Sequence, residues 1–374
     1  MWACYFALEN VWVRMVPLDQ RYREFPVPAG VITWVGRRAL VVVSLIFIGL
    51  WLVYCFRNRL WNTGFRQRAF LVTMTAGCSW TIFVILRFQG FEPTWYQLQP
   101  LIDSPASRPI IGHRILFVWL AQGIHILRPS MGHIMVFMGS QIAAIVFATY
   151  MAGRWAAVFV GDRLSFLGQI LLVLFLTPTI SYYTFYDIGI VGFYCAAFLS
   201  LYHRRYWLFV VTVGLATLNH ENALLLIPVA LFACYGDLPV RRLLLFSGAA
   251  FGVHVGIRAA LLILMPMPKV GDLATWTNPI DLAKLPMVML VSMGLLAFRW
   301  ACVFLGFPSA PPFVRKLAIL YPLLIITTTV FGQYHETRQF DAGIPVDIAF
   351  VLCYLAGRSA PIPTDSLGTT VAAV

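Results

Sequence analysis

Three short polar stretches interrupt an otherwise oily sequence, and each gathers residue types able to do chemistry. The first, residues 87–109, carries Glu92 in Gly90-Phe91-Glu92-Pro93 and Asp103 in Leu101-Ile102-Asp103-Ser104-Pro105, and runs directly into His113-Arg114. The second is split: Asp187 closes the aromatic run Tyr182-Tyr183-Thr184-Phe185-Tyr186, and Glu221 stands in Asn219-His220-Glu221-Asn222. The third, residues 332–341, packs His335, Glu336, Arg338 and Asp341 between two apolar runs. A carboxylate can take the proton of an attacking hydroxyl, and a guanidinium suits a phosphate because its N–H fork matches the oxygens. Each stretch also has a plainer explanation. Glu92 and Asp103 would serve as solvated loop acids, and Asn219 and Glu221 as caps of two short helices. Glu336–Arg338 would be a surface ion pair worth about 0–1 kcal/mol.

What must position these groups is a set of membrane-spanning helices. The 374 residues are 60% hydrophobic and only 11% charged, with a mean hydropathy of +0.80. A soluble domain carries about 25% charged residues, so the bilayer has to act as the solvent for this much apolar surface. Backbone polar groups in lipid must be satisfied internally, which leaves helices or a closed barrel. The apolar runs, such as Ala39–Phe56, do not alternate, and that excludes the barrel. The fold class is therefore an all-α polytopic transmembrane protein, with about ten spans of roughly 17–25 residues and an interfacial helix. Spans are expected near 39–56, 69–86, 131–152, 164–180, 188–202, 243–264, 287–306, 316–331 and 342–357. Segment 206–235 is read as two short helices turning at Asn219–Asn222.

Charge sets the orientation. The net charge is +12, and Lys269, Lys284 and Lys316 are the only lysines, so arginine supplies nearly all of it. In a soluble chain such a balance would point to nucleic acid; here loop arginines fix the topology and touch anionic lipid, and no nucleic-acid partner is expected. The groups His203-Arg204-Arg205 and Arg241-Arg242 bracket segment 206–235 and should both be cytoplasmic, so the chain goes in and comes back. Counting outward from this hairpin puts Glu92, Asp103, Asp187, Glu221, Asp272, Asp281, Glu336 and Asp341 outside, eight of the 15 acids. Residues 110–127 then form an interfacial helix on the outer surface, bearing His113, Arg114 and His125. Arg57, Arg59, Arg66 and Arg68 fall inside, which places residues 1–38 outside despite Arg37-Arg38, so this segment is left as a surface segment of undecided side. Residues 39–358 make one transmembrane domain and 359–374 a short cytoplasmic tail. The seven cysteines are scattered through apolar stretches without a C-x-x-C and read as small buried hydrophobes. The N-terminus has no basic region followed by an apolar stretch and a small-residue cleavage site, so no signal peptide is expected.

The order of the polar stretches resembles the bacterial polytopic glycosyltransferases of the GT-C superfamily. Arg108-Pro109-Ile110-Ile111-Gly112-His113-Arg114 is similar to the juxtamembrane helix after their first large outer loop. Leu218-Asn219-His220-Glu221-Asn222-Ala223-Leu224 is similar to a later hairpin that often reads L-N-R-E-T-A-L, with His220 in place of the arginine. Glu336-Thr337-Arg338 is similar to a late E-x-R element. The resemblance implies a transferase that moves a sugar from a polyprenyl-phosphate donor to an acceptor on the outer face of a bacterial inner membrane. It implies a carboxylate general base in the first outer loop, Asp103 first and Glu92 second, and in some members a divalent metal, Mg or Mn. Those two acids lie eleven residues apart rather than adjacent, a departure that bears on both the base and the metal. It further implies substrate contacts from His113, Arg114, Asp187, His220, Glu221, His335, Glu336 and Arg338.

Two other classes stay open. A secondary transporter would also use a broken helix bearing Glu221, although no matching break marks an inverted repeat. A non-catalytic subunit of a membrane complex would need none of these groups. G-x-S-x-G and H-E-x-x-H are absent from the sequence, so serine and zinc protease chemistry has no support.

Overall fold

We describe the protein from a computed structural model, in which residues 70–83, 115–128, 133–177, 179, 185–264, 282–331 and 337–357 are described; all belong to one compact unit. Every named element among them is helical. In chain order they are α1 (Phe70–Phe83), α2 (Ile115–Leu127), α3 (His133–Leu164), α4 (Phe166–Leu176), α5 (Phe185–Tyr202), α6 (Tyr206–Asn219), α7 (Leu226–Cys234), α8 (Val240–Leu264), α9 (Leu285–Leu295), α10 (Ala297–Gly306), α11 (Pro312–Leu317), α12 (Leu320–Phe331) and α13 (Ile344–Ala356). Single 3-10 turns, Glu221–Leu225 and Thr337–Gly343, lead into α7 and α13. Four stretches are long and apolar enough to cross a bilayer: Gly139–Leu164, Val240–Leu264, Pro312–Val330 and Arg338–Ala356. The pair Leu282–Gly294 and Ala297–Ser309, bent by 76°, makes a fifth if counted as one span. The single helix expected over 287–306 is thus two helices broken at Leu296.

Local chemistry explains where the helices start and stop. Pro286, Pro312 and Pro345 occupy the first two positions of α9, α11 and α13, where the missing N–H would have had no partner. Gly357 closes α13 in the left-handed region, φ 58°, a conformation only glycine adopts without penalty. Hydroxyls within the helices are satisfied at home: Thr81, Thr149 and Thr217 each donate to the carbonyl four residues back, at 2.7–2.9 Å. That pattern lets polar side chains sit buried where no water reaches.

Packing joins alternate helices. α3 and α5 run parallel, since Phe147 meets Phe193 at 4.8 Å and Trp155 meets Phe198 at 5.8 Å between ring centroids. α4 returns beside α3, where Gly168 lies against the Ala152 carbonyl. α6 and α8 repeat the arrangement: Tyr206 stacks on Phe246 at 4.8 Å, and Thr217 Oγ1 meets His254 Nδ1 at 2.9 Å. The core centres on Trp155, Tyr194, Phe198 and Phe350, all fully enclosed. Trp155 donates its indole N–H to the Pro345 carbonyl at 2.7 Å, so the largest buried ring leaves no polar atom orphaned.

The two ends of the bundle differ in charge. Tyr202 contacts Phe313, and Lys316 donates to the Tyr235 carbonyl at 2.7 Å and pairs with Asp237 at 3.1 Å. The start of α6 and the end of α7 therefore meet at the same end, and segment 206–235 does go in and come back. Arg154, Arg204, Arg205, Arg241, Arg242 and Arg315 gather at this basic end. Partial burial, then Arg205 and Arg154, hold His203 below the usual imidazole range, so it adds no charge there at neutral pH. The far end carries the start of α5 and the turn of the hairpin.

Close packing gives a direct test. A β-carbon on Gly306 would overlap the Phe350 carbonyl, whose carbon lies 2.7 Å away, whereas one on Gly252 meets nothing within 4 Å. Gly306→Ala should lower the melting temperature of the purified protein by the equivalent of about 1–3 kcal/mol. Gly252→Ala should leave it unchanged or raise it slightly, since alanine favours helix by up to about 1 kcal/mol. Equal melting temperatures for the two variants would contradict the contact between α10 and α13.

Candidate functional site

The hairpin break sits at the far end of the bundle and is built from four residues. α6 ends at Asn219, and His220 adopts an extended backbone, φ −160° and ψ 142°, before the chain resumes as the 3-10 turn from Glu221. A residue so placed leaves its neighbours' backbone groups without helical partners. His220 supplies one partner itself: its Nδ1 accepts from the Asn222 backbone N–H at 3.1 Å. Tyr194 of α5 supplies another, donating its hydroxyl to the Asn222 carbonyl at 2.7 Å. The break is thereby tied to α5 and fixed in shape.

Asp187 lies in the first turn of α5, where the helix dipole favours a carboxylate. It is nearly buried, and its two oxygens go to different partners. Oδ1 meets His220 Nε2 at 3.1 Å, and Oδ2 meets Arg338 Nη1 at 3.0 Å. Because Nδ1 of His220 accepts from a backbone N–H, the proton on Nε2 is the one donated to Asp187. Glu221 stands at the edge of the group, Oε2 3.6 Å from His220 Nδ1, and is more exposed than the others. Gly189, half a turn along α5, has no side chain, and the Phe117 ring of α2 occupies that space beside Asn219. α2 thus packs against the flank of the site.

Four of the residues expected to contact substrate, Asp187, His220, Glu221 and Arg338, are therefore brought together. Arg338 arrives from 151 residues beyond Asp187, carried by the turn Thr337–Gly343. Asp103, Glu92, His113, Arg114, His335 and Glu336 lie outside the described residues. Among the described residues no three His, Cys, Asp or Glu side chains are arranged to hold a metal ion.

A second charged group lies deeper, and reading the sequence as plain spans passed over it. Arg299 of α10 donates Nε to Asp347 Oδ2 at 2.6 Å and Nη2 to the Phe340 carbonyl at 2.9 Å. Tyr321 of α12 donates its hydroxyl to Asp347 Oδ1. Arg299, Tyr321, Asp341 and Asp347 are all buried, and the space around Arg299 between Leu296, Trp300, Tyr321 and Phe340 is too narrow for a water molecule. The signal that would have found it is an arginine and an aspartate inside two apolar stretches, which are rare in spans and mark either a pairing or a function. Asp341, expected on the outer loop, is instead fully enclosed, because the chain resumes helical structure at Thr337.

Compared with known proteins, the chain matches no family model, no curated protein and no solved structure.

The Asp187–Arg338 pair can be weighed in place. A double-mutant cycle with Asp187→Asn and Arg338→Gln, followed by unfolding in detergent, should return a coupling energy of about 0.5–3 kcal/mol. Strictly additive effects would mean that the pair does not form.

Proposed function

We propose that the chain is a membrane glycosyltransferase of the GT-C type, which moves a sugar from a polyprenyl-phosphate carrier to an acceptor at the extracytoplasmic face of a bacterial inner membrane. The observation that carries this reading is the meeting of Asp187, His220, Glu221 and Arg338 at a helix break opposite the arginine-rich end. The four long helices and the bent pair supply five crossings; the five shorter apolar helices, 10–17 residues each, would have to cross as well to bring the total to about ten. With the basic end cytoplasmic, the break faces the side on which lipid-linked sugars are consumed.

The chemistry assigns each group a task. The acceptor hydroxyl attacks the anomeric carbon while Asp103, or Glu92, takes its proton. The bond from that carbon to the phosphate oxygen breaks, and the electron pair leaves with the lipid phosphate. Arg338 and Arg114 supply positive charge where the leaving oxygen becomes anionic. In the resting protein Arg338 is held by Asp187, so an arriving phosphate competes with a carboxylate for the same guanidinium. His220 steadies Asp187 from the other side and keeps the exchange local.

A second reading, a secondary transporter, is favoured by the Arg299–Asp347 pair within a span, because charges at that depth often line an ion or substrate path. One experiment separates the two. The purified chain is given labelled polyprenyl-phosphate sugars and a lipid acceptor extract, with Asp103→Asn and Arg338→Gln alongside. Transfer should appear with the unaltered chain and fall by about 10²–10⁴-fold in Asp103→Asn, the range of a lost general base. Absence of transfer from every donor, with labelled solute entering proteoliposomes, would replace the first reading by the second.

A further inference from the structure

Arg299 faces two aspartates and hydrogen-bonds only one. Its Nε and Nη2 both contact Asp347 Oδ2, at 2.6 and 2.5 Å, while Nη1 stays 3.7 Å from Asp341 Oδ1. Asp347 takes the Tyr321 hydroxyl on its other oxygen and so collects three donors. Asp341 is wholly enclosed, and among the described residues neither of its oxygens has a hydrogen-bond partner. The groups facing it are Arg299 from α10, Thr179 from the segment after α4, Asp187 from α5 and Arg338 from its own turn. Both guanidiniums make their close contacts elsewhere, Arg299 with Asp347 and Arg338 with Asp187, and Arg299 Nη1, though left without a hydrogen-bond partner, stops 3.7 Å short of Asp341. The Thr179 hydroxyl also lies within reach of Asp341, and while it donates to the Leu176 carbonyl at 3.0 Å it can only accept from that carboxyl. Lone pairs repel a carboxylate and attract the O–H of a carboxylic acid. A carboxylate cut off from water with no matched cation is strongly disfavoured.

We propose that Asp341 is a proton-binding site, neutral while Arg338 is clamped to Asp187, and that loss of its proton loosens the clamp. The turn Thr337–Gly343 supplies the coupling, because it carries Arg338, Phe340 and Asp341 together. Arg299 grips that turn at the Phe340 carbonyl. An ionised Asp341 competes with Asp347 for Arg299 and with Asp187 for Arg338, and it repels the Asp187 carboxylate. Every one of these changes weakens the hold of Asp187 on Arg338. The proton thereby sets whether the guanidinium at the helix break is engaged or available, and this holds whichever substrate the break receives.

The test uses the full-length chain in detergent and no substrate, so its failure is distinct from failure of the transferase reading. The infrared difference between the unaltered chain and Asp341→Asn should contain the carbonyl band of a protonated carboxyl in a non-polar setting. A lost carboxylate band in its place would overturn the proposal. Asp341→Asn replaces one neutral group by another and should fold, whereas Asp347→Asn strands Arg299 and should fold poorly. The reverse order, or failure of Asp341→Asn alone to fold, would equally overturn it. The sign of the pH dependence is fixed: a carboxyl held protonated in the folded state stabilises less as pH rises above the ordinary carboxylate range. The unfolding constant of the unaltered chain relative to Asp341→Asn should therefore rise up to about tenfold per pH unit through that window. Modification of Arg338 by phenylglyoxal, read by peptide mass and expressed relative to Asp341→Asn at the same pH, should rise over the alkaline end of that window. A ratio independent of pH would leave the clamp uncoupled and sink that part of the proposal.

Discussion

The Arg299–Asp347 pair is the interaction around which the C-terminal half of the bundle is organised. Water is absent at that depth, so an arginine there has to find its counter-charge within the protein. Meeting that demand fixes several things at once. It sets the register of α10 against α13, brings the Tyr321 hydroxyl of α12 onto the same carboxylate, and anchors the turn Thr337–Gly343 through the Phe340 carbonyl. That turn in turn delivers Arg338 to Asp187. The charge pair inside the bundle thus determines where a side chain at its far end can stand, and Gly306 permits it by letting α10 approach the Phe350 backbone.

The same economy of polar groups shapes the helix break. Interrupting an α-helix frees backbone donors and acceptors, and each must be met locally. The side chains of His220 and Tyr194 meet the backbone N–H and carbonyl of Asn222, and the remaining ring nitrogen of His220 is then available for Asp187. Capping and ligand binding are therefore compatible duties of one residue. A histidine at this position accepts as well as donates, which a guanidinium could not do.

Much of this was legible before any coordinates. Long unbroken apolar runs specify helices, and Asn219-His220-Glu221-Asn222 is too polar to pass through lipid as plain helix, so the hairpin could be read directly. The clustering of arginine at His203–Arg205 and Arg241-Arg242 predicted that both its ends lie together, as Lys316 and Tyr235 now make visible. Other features were illegible for physical reasons. No spacing rule connects Asp187 to a residue 151 positions away; only tertiary packing does. Gly294 stands at the edge of the break at Leu296, but a lone glycine inside an apolar run is tolerated in a helix, so nothing in residues 287–306 says that the chain bends there. Arg299 and Asp347 were hidden by averaging, since a single charge barely lowers the hydropathy of a long apolar window. Phe117 fits against Gly189 because of a missing side chain, a negative feature that composition does not reveal.

The pairing of alternate helices bears on how the chain is made. α3 rests on α5 and α6 on α8, so each helix leaves the ribosome before the neighbour that will cover it. Arg299 is the extreme case, because its counter-ion follows 48 residues later. Throughout that interval the nascent chain carries an uncompensated guanidinium, which must linger near the headgroups or be held by the insertion machinery. Arrival of Asp347 removes the impediment and lets α10 settle. The pairing of α10 with α13 is therefore completed only when α13 is in place.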